Sequence, residues 1–400
     1  MTKTKKYQKT LIACYLGFIT QAISSNFAPL LFLTFKDAYG ISLEMIAIIP
    51  LVFYLTQLLV DLVAAKFADM IGYRICVVIS QLVSAAGLIL MAFLPELLPN
   101  PFVGILISVV LYAIGSGLVE VLLSPIVEAC PFENKAGVMS LLHSFYCWGA
   151  VGVILGSTIF FAIFGIAHWQ ILTVIWAVVP FLNTFNFLSC PIERLVEDGE
   201  GMRIGRLLKL PMFLLMILLM ICAGASEATM TQWASAFTES ALGVSKTVGD
   251  LVGPCLFAVF MGGARVFYGK KSEKLDLSKV MLCCGTLCVI CYLLAALSPI
   301  PMLGLIGCAL CGLSVGIMWP GTISISSQKC PKGGTAMFAF LALAGDLGAA
   351  VGPAMVGGIA DAAGGNLKTG LVFATVFPAM MVFLLILLIT KIGKASKTNP

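Results

Sequence analysis

Long apolar stretches alternate along the chain with short polar punctuation. Twelve such stretches can be read, over about 10–35, 43–68, 74–94, 102–129, 136–164, 168–190, 211–238, 247–268, 279–298, 301–327, 334–361 and 368–391. A helix needs roughly 20 residues to cross the hydrocarbon core of a bilayer, and these runs supply them. Within the runs apolar residues are continuous rather than alternating, which predicts helices and not the strands of a membrane barrel. Glycine and proline fall inside several runs, as membrane helices tolerate. The expected fold class is an all-α integral membrane protein of twelve transmembrane helices. One long polar stretch, PIERLVEDGEGMRIGRLLKL, divides the runs six and six. It predicts a six-helix bundle over 1–190, a connecting segment over 191–210 with room for a short surface helix, and a second six-helix bundle over 211–400.

Composition and charge agree with the pattern. Of the 400 residues, 60% are hydrophobic and 11% charged, against about 25% charged in soluble domains. The net charge is +5, and where the cations lie matters more than their number. If both termini lie in the cytoplasm, all 24 lysines and arginines except Lys36, Lys246 and Lys368 fall on the cytoplasmic side. That is the positive-inside asymmetry of a multi-pass protein of the cell (inner) membrane. The N-terminal stretch MTKTKKYQKTLIACYLGFIT reads as the first span and not as a cleaved leader. The 14 cysteines sit mostly inside apolar runs. They read as small packing residues, since no histidines flank the CALC stretch to make a zinc site. No basic, aromatic-interleaved patch suggests nucleic acid, and no phosphate-binding glycine loop is present for nucleotide-driven work. No metal cluster or nucleophile constellation suggests an enzyme, and no cofactor is implied.

Ionisable residues inside apolar runs are the sequence's main functional signal, because a charge there costs at least a few kcal/mol and usually faces a cavity or a partner. Glu120 lies in the fourth span and His143 in the fifth, at similar depth on an antiparallel hairpin. They read either as a proton-handling pair or as a buried structural hydrogen bond. Glu227 lies mid-span in the seventh, followed by Gln232 and Trp233. That trio suits a polyhydroxyl ligand, or else Trp233 is an interfacial anchor on a packing face. Asp346 lies halfway along the eleventh span within LAGDLGAAVGPAMVGG, whose small residues read chiefly as close helix packing. Asn26, Gln57 and Trp319 are further candidates to line a path, with interhelical hydrogen bonding and packing as the alternatives. Asp61 and Arg265 align near the membrane edge in the two halves and read as gating or structural groups. The halves also echo each other at an offset of 200 residues, Cys130-Pro131 against Cys330-Pro331 and Ala150–Gly152 against Ala350–Gly352. Such internal repeats are characteristic of secondary transporters.

The loop AKFADMIGYR, residues 65–74, resembles the loop signature of the major facilitator superfamily, G-x-x-x-D-[RK]-x-G-[RK]-[RK]. Asp69, Gly72 and Arg74 match, while Ala65, Met70 and Tyr73 depart from it. GSGLVEVLLSP, LLHSFYCWGAVG, GASEATMTQW and GIMWPGTISI resemble stretches of that superfamily's fucose:proton symporter branch. The resemblance implies the major facilitator fold of two six-helix bundles, with substrate bound between them. It implies Asp69 as a latch near the start of the eleventh span, with Gly72 and Arg74 as gating neighbours. It implies Glu120 as the protonatable coupling residue, with His143, Glu227, Gln232 and Trp233 near a sugar. The branch carries an acid in its first helix, where this chain has Gln21 and Asn26 in TQAISSNFAPLL. Glu227 or Asp346 would then share the proton's task, or the chain would act as a uniporter. The expected function is proton-coupled uptake of a sugar or similar small polar metabolite by a monomer in the lipid bilayer. A drug or metabolite efflux antiporter and a non-transporting membrane receptor are the alternatives.

Overall fold

The structure is a computed structural model that describes residues 3–41, 43–195, 202, 204–242, 251–364 and 366–395. No strand occurs among the described residues. Eleven helical stretches among the described residues are long and apolar enough to cross a membrane, two of them, Met302–Lys329 and Leu367–Thr390, running across a break between helices. The expected eighth span, 247–268, begins outside the described residues. Its described part is a π-type turn, Leu251–Cys255, followed by the helix Leu256–Lys271. Of the expected connection at 191–210, residues 196–201 and 203 lie outside the described residues.

The helices in chain order are α1 (Lys3–Leu30), α2 (Phe32–Tyr39), α3 (Leu43–Ile71), α4 (Tyr73–Leu97), α5 (Pro101–Ala129), α6 (Lys135–Phe164), α7 (Trp169–Ser189), α8 (Ile204–Leu207) and α9 (Pro211–Leu242). They continue with α10 (Leu256–Lys271), α11 (Leu277–Leu297), α12 (Pro301–Val315), α13 (Met318–Lys329), α14 (Gly334–Ala362), α15 (Leu367–Ala374) and α16 (Val376–Ala395). Three expected single spans are broken in two, between α1 and α2, α12 and α13, and α15 and α16. Proline makes such breaks possible without forcing them, because its missing N–H leaves the carbonyl four residues earlier without a helical donor, and Pro50, Pro95, Pro125, Pro180 and Pro353 lie inside unbroken helices. Pro29, Pro320 and Pro378 lie at or within one turn of these breaks.

The chain divides into two compact units. Unit 1 comprises Met1–Glu133, Phe145–Gly201 and Gly334–Phe340; unit 2 comprises Asn134–Ser144, Met202–Gly333 and Leu341–Pro400. In unit 1, α5 is a central helix, packed against α1, α3 and α4. Glycines set those separations. A Cβ at Gly87 would meet the backbone of Tyr112 and Ser108, and one at Gly104 would meet the backbone of Leu94. The apolar core joins Phe27, Leu31 and Phe35 to Leu88, Ile105, Tyr112 and Trp169. The opposite faces are as apolar as the core. On α3, Leu51, Leu55, Leu59 and Leu62 are exposed at helical spacing, and Ile171, Ile175, Val178, Leu182 and Phe185 do the same on α7. An apolar stripe with no protein against it is the surface a helix presents to lipid. In unit 2, α12 packs against α10 and α11, while α16 packs against α9 and α11.

Candidate functional site

In unit 1 the acid of the fourth span is held by two neutral amides. Gln21 Nε2 on α1 donates to Glu120 Oε2 at 2.8 Å, and Gln57 Nε2 on α3 donates to the same oxygen at 3.2 Å. Gln57 also reaches Ser116 Oγ at 3.2 Å, one turn before Glu120 on α5. Glycines bring the helices close enough for this. A Cβ at Gly17 would press on Leu123, and one at Gly117 would meet Val60 at 3.0 Å and the Gln57 backbone at 3.4 Å. One turn along α1, Ser25 Oγ and Tyr146 OH lie 3.2 Å apart. Asn26 Nδ2 donates within its own helix, to Ala22 O and Ser25 Oγ. Asp61 is fully buried on α3, one turn beyond Gln57.

The loop between α3 and α4 explains its own residue types. Gly72 adopts φ 95°, a left-handed value that favours glycine, and its N–H closes α3 onto Ala68 O at 2.9 Å. Asp69 Oδ1 accepts from Thr335 Oγ1 at 2.6 Å, at the start of α14, and Tyr73 OH lies 2.5 Å from the same hydroxyl. Arg74 turns to the end of α7. Its guanidinium donates to the carbonyls of Phe187 at 2.7 Å, Leu188 at 2.9 Å and Cys190 at 2.9 Å. These carbonyls belong to the C-terminal turn and the cap, where helical donors run out and the dipole favours a cation.

In unit 2 the central group is Arg265 on α10, buried to 3% exposure. Its Nη2 lies 3.3 Å from Glu227 Oε2 on α9, whose side chain is 20% exposed. Its Nε donates to Gly316 O at 2.8 Å and its Nη1 to His143 O at 3.0 Å. Ser140 Oγ donates back to the Arg265 carbonyl at 2.8 Å. The structure buries Arg265 in the protein, facing Glu227. His143 is buried in unit 2 and Glu120 belongs to unit 1, so each expected partner of that pair is described in its own unit.

Trp233 Nε1 donates to Pro353 O at 3.0 Å, and a Cβ at Gly357 would meet its ring at 3.1 Å. Its indole is therefore a fastening between α9 and α14. The Gln232 side chain lies outside the described residues. Trp319 packs on Gly345 of α14 so closely that no Cβ would fit there, and Gly224 meets the Gly345 carbonyl in the same way. Beside them Asp346 is buried, and its Oδ2 has no hydrogen-bond partner among the described residues. Sequence reasoning missed a buried polar network in unit 1. Gln81 Oε1 accepts from Thr20 Oγ1 at 3.0 Å and from Asn183 Nδ2 at 3.2 Å, joining α1, α4 and α7. It also missed Gln21 and Thr335 as partners of the two acids. No group of three or more His, Cys, Asp or Glu side chains arranged for a metal occurs among the described residues.

Apolar helices long enough to span a bilayer, with carboxylates held among them, are those of a multi-pass membrane protein with a polar interior. The Major Facilitator Superfamily model matches residues 13–353 and 241–400, and the chain belongs to that family. The membrane protein MosC of Rhizobium meliloti is 25% identical over 333 residues, covering 82% of this chain and 78% of MosC. Among solved structures, the N162A form of the E. coli fucose:proton symporter FucP has a TM-score of 0.78 at 16% identity, over 96% of this chain and 99% of that one. The proton:xylose symporter XylE, bound to 6-bromo-6-deoxy-D-glucose, has a TM-score of 0.82 at 11% identity over 95% of each chain. At such identities the likeness to FucP and XylE establishes the fold alone.

Proposed function

We propose that the protein is a proton-coupled secondary transporter that takes up a sugar or similar small polar metabolite by alternating access. The observation that carries this reading is the Glu120 carboxylate inside a membrane helix, held by the amides of Gln21 and Gln57. An amide donor leaves a carboxylate its capacity to take and release a proton, and amide and hydroxyl groups beside it are the partners a polar solute needs. Ser25, Tyr146 and Asn26 extend that polar face along α1. Glu227 with Arg265, and buried Asp346, are the ionisable groups of unit 2 that would share the coupling. Two six-helix halves, 1–190 and 211–400, would rock about the segment 191–210, in a monomer of the cell membrane with both termini in the cytoplasm. The bond between Asp69 and Thr335 would hold the loop between α3 and α4 to α14 in one state of that cycle.

The test is reconstitution in liposomes, first with a panel of sugars and polyols. Glu120→Gln should abolish substrate-driven proton uptake while counterflow exchange of substrate persists. Proton uptake at the wild-type rate in E120Q would refute the coupling role. Absence of flux for every sugar and polyol, with flux of lipophilic cations, would refute the substrate class.

A further inference from the structure

The stretches CVIC, residues 288–291, and CALC, residues 308–311, stand on α11 and α12, two helices joined by a short turn and packed side by side. Gly307 sets how closely they approach, since a Cβ there would meet Cys291 O at 2.9 Å and Ala295 N at 3.0 Å. At that separation Cys288 Sγ and Cys311 Sγ lie 3.8 Å apart. The helices run in opposite directions, so one turn forward on α11 matches one turn back on α12, and Cys291 comes opposite Cys308. Cys288, Cys308 and Cys311 are fully buried and Cys291 nearly so. α12 is held from its other side as well, because a Cβ at Gly312 would overlap the Phe257 backbone of α10. Packing in such a place needs only a small apolar side chain, which alanine supplies; it does not call for two sulfurs in contact.

We propose that Cys288 and Cys311 are a modification site, a dithiol that a lipid-soluble hydroperoxide converts into a disulfide between α11 and α12. One thiol attacks the hydroperoxide R–O–O–H. The O–O bond breaks, the sulfur keeps the OH as a sulfenic acid, and the alcohol R–OH leaves with the thiol's proton. The second sulfur then attacks the first. The S–S bond forms, the S–O bond breaks, and water leaves with the second thiol's proton. Two sulfurs are oxidised and one peroxide is reduced. The sulfurs close from 3.8 Å to about 2.05 Å chiefly by rotation about their Cα–Cβ bonds. Both are sealed from water, so the oxidant is one that is uncharged and dissolves in the apolar layer. Ile290 and Leu293 on α11 and Ile306 on α12 are exposed on the face that meets that layer. The bridge joins residues 23 apart in the sequence and stabilises the folded chain by restricting the unfolded one.

The experiment treats the purified full chain, in lipid nanodiscs, with tert-butyl hydroperoxide. The chain is then denatured without reductant, its free thiols are alkylated, and its peptides are mapped by mass spectrometry. The expected result is a peptide pair joined through Cys288 and Cys311, which reductant separates. Cys283 on the same helix is exposed and reports that oxidant has reached the protein. Cys288→Ala and Cys311→Ala should each abolish the joined pair, while C291A/C308A should keep it. Oxidised wild type should unfold at a higher temperature than the reduced protein, a rise absent from C311A. Cys288 and Cys311 both still alkylated after Cys283 has been oxidised would overturn the proposal. So would their recovery as separate sulfinic or sulfonic acids, or a bridge that forms only once the chain is unfolded. If either alanine variant fails to fold, the peptide map of the wild type gives the answer by itself. The assay needs no substrate, so its outcome is independent of the transport reading.

Discussion

Arg74 matches the loop signature that the resemblance associates with gating, yet its guanidinium caps a helix within unit 1. Arg74→Ala tests which role dominates. The substitution removes three donors from the last carbonyls of α7. Two of those bonds are partly buried and one is exposed. A hydrogen bond to a charged group contributes about 1.5–3 kcal/mol when sheltered, and exposure reduces an ionic contact to about 0–1 kcal/mol. Discounting both partly buried bonds for their solvent contact leaves about 2–3 kcal/mol. The readout is Cys190, buried at this helix end with its carbonyl on Arg74. At about 1.4 kcal/mol per factor of ten, local opening at Cys190 should become about 30- to 150-fold more frequent, measured as maleimide labelling under conditions where reclosing outpaces reaction. Arg74→Lys keeps a charge without the planar fork, so its labelling should rise by less than about tenfold. Unchanged Cys190 labelling in R74A, together with loss of transport, would refute the capping argument and leave Arg74 as a gate.

Trp233→Phe keeps an aromatic ring but removes the N–H given to Pro353. It should lower stability by about 1 kcal/mol and leave substrate affinity unchanged in a binding assay; a loss of affinity beyond tenfold would place the indole in contact with substrate. Gln81→Leu removes the acceptor shared by Thr20 and Asn183. Each of these retains a backbone acceptor, Leu16 O and Ala13 O, so the loss should be about 1–2 kcal/mol, read as a lower midpoint in thermal unfolding. A loss of 4 kcal/mol or more would mean that the network is more tightly coupled than its pairwise bonds indicate.

The membrane fold was legible because its signal is coarse: runs of apolar residues long enough to span lipid, interrupted by charge. The breaks were not legible. A proline such as Pro320 only states that a carbonyl loses its donor, and whether the helix turns there depends on what else reaches that carbonyl, here an arginine 51 residues earlier in the chain. The acids Glu120 and Glu227 stood out because charge in an apolar run is costly. Gln21 did not, because an amide raises little alarm and its partner lies 99 residues away. Its position was nonetheless flagged as the place where an acid was expected.

The pairing of Glu120 with glutamines has a consequence for how readily its state can change. A carboxamide is two-headed: its nitrogen end offers hydrogens to an anion, and after a half-turn about its last bond its oxygen end receives a hydrogen from a neutral acid. Lysine or arginine in the place of Gln21 would favour only the anion. Each of these two amides can therefore keep its hydrogen bond to the acid in either form by turning its own side chain, without a shift of α1 or α3.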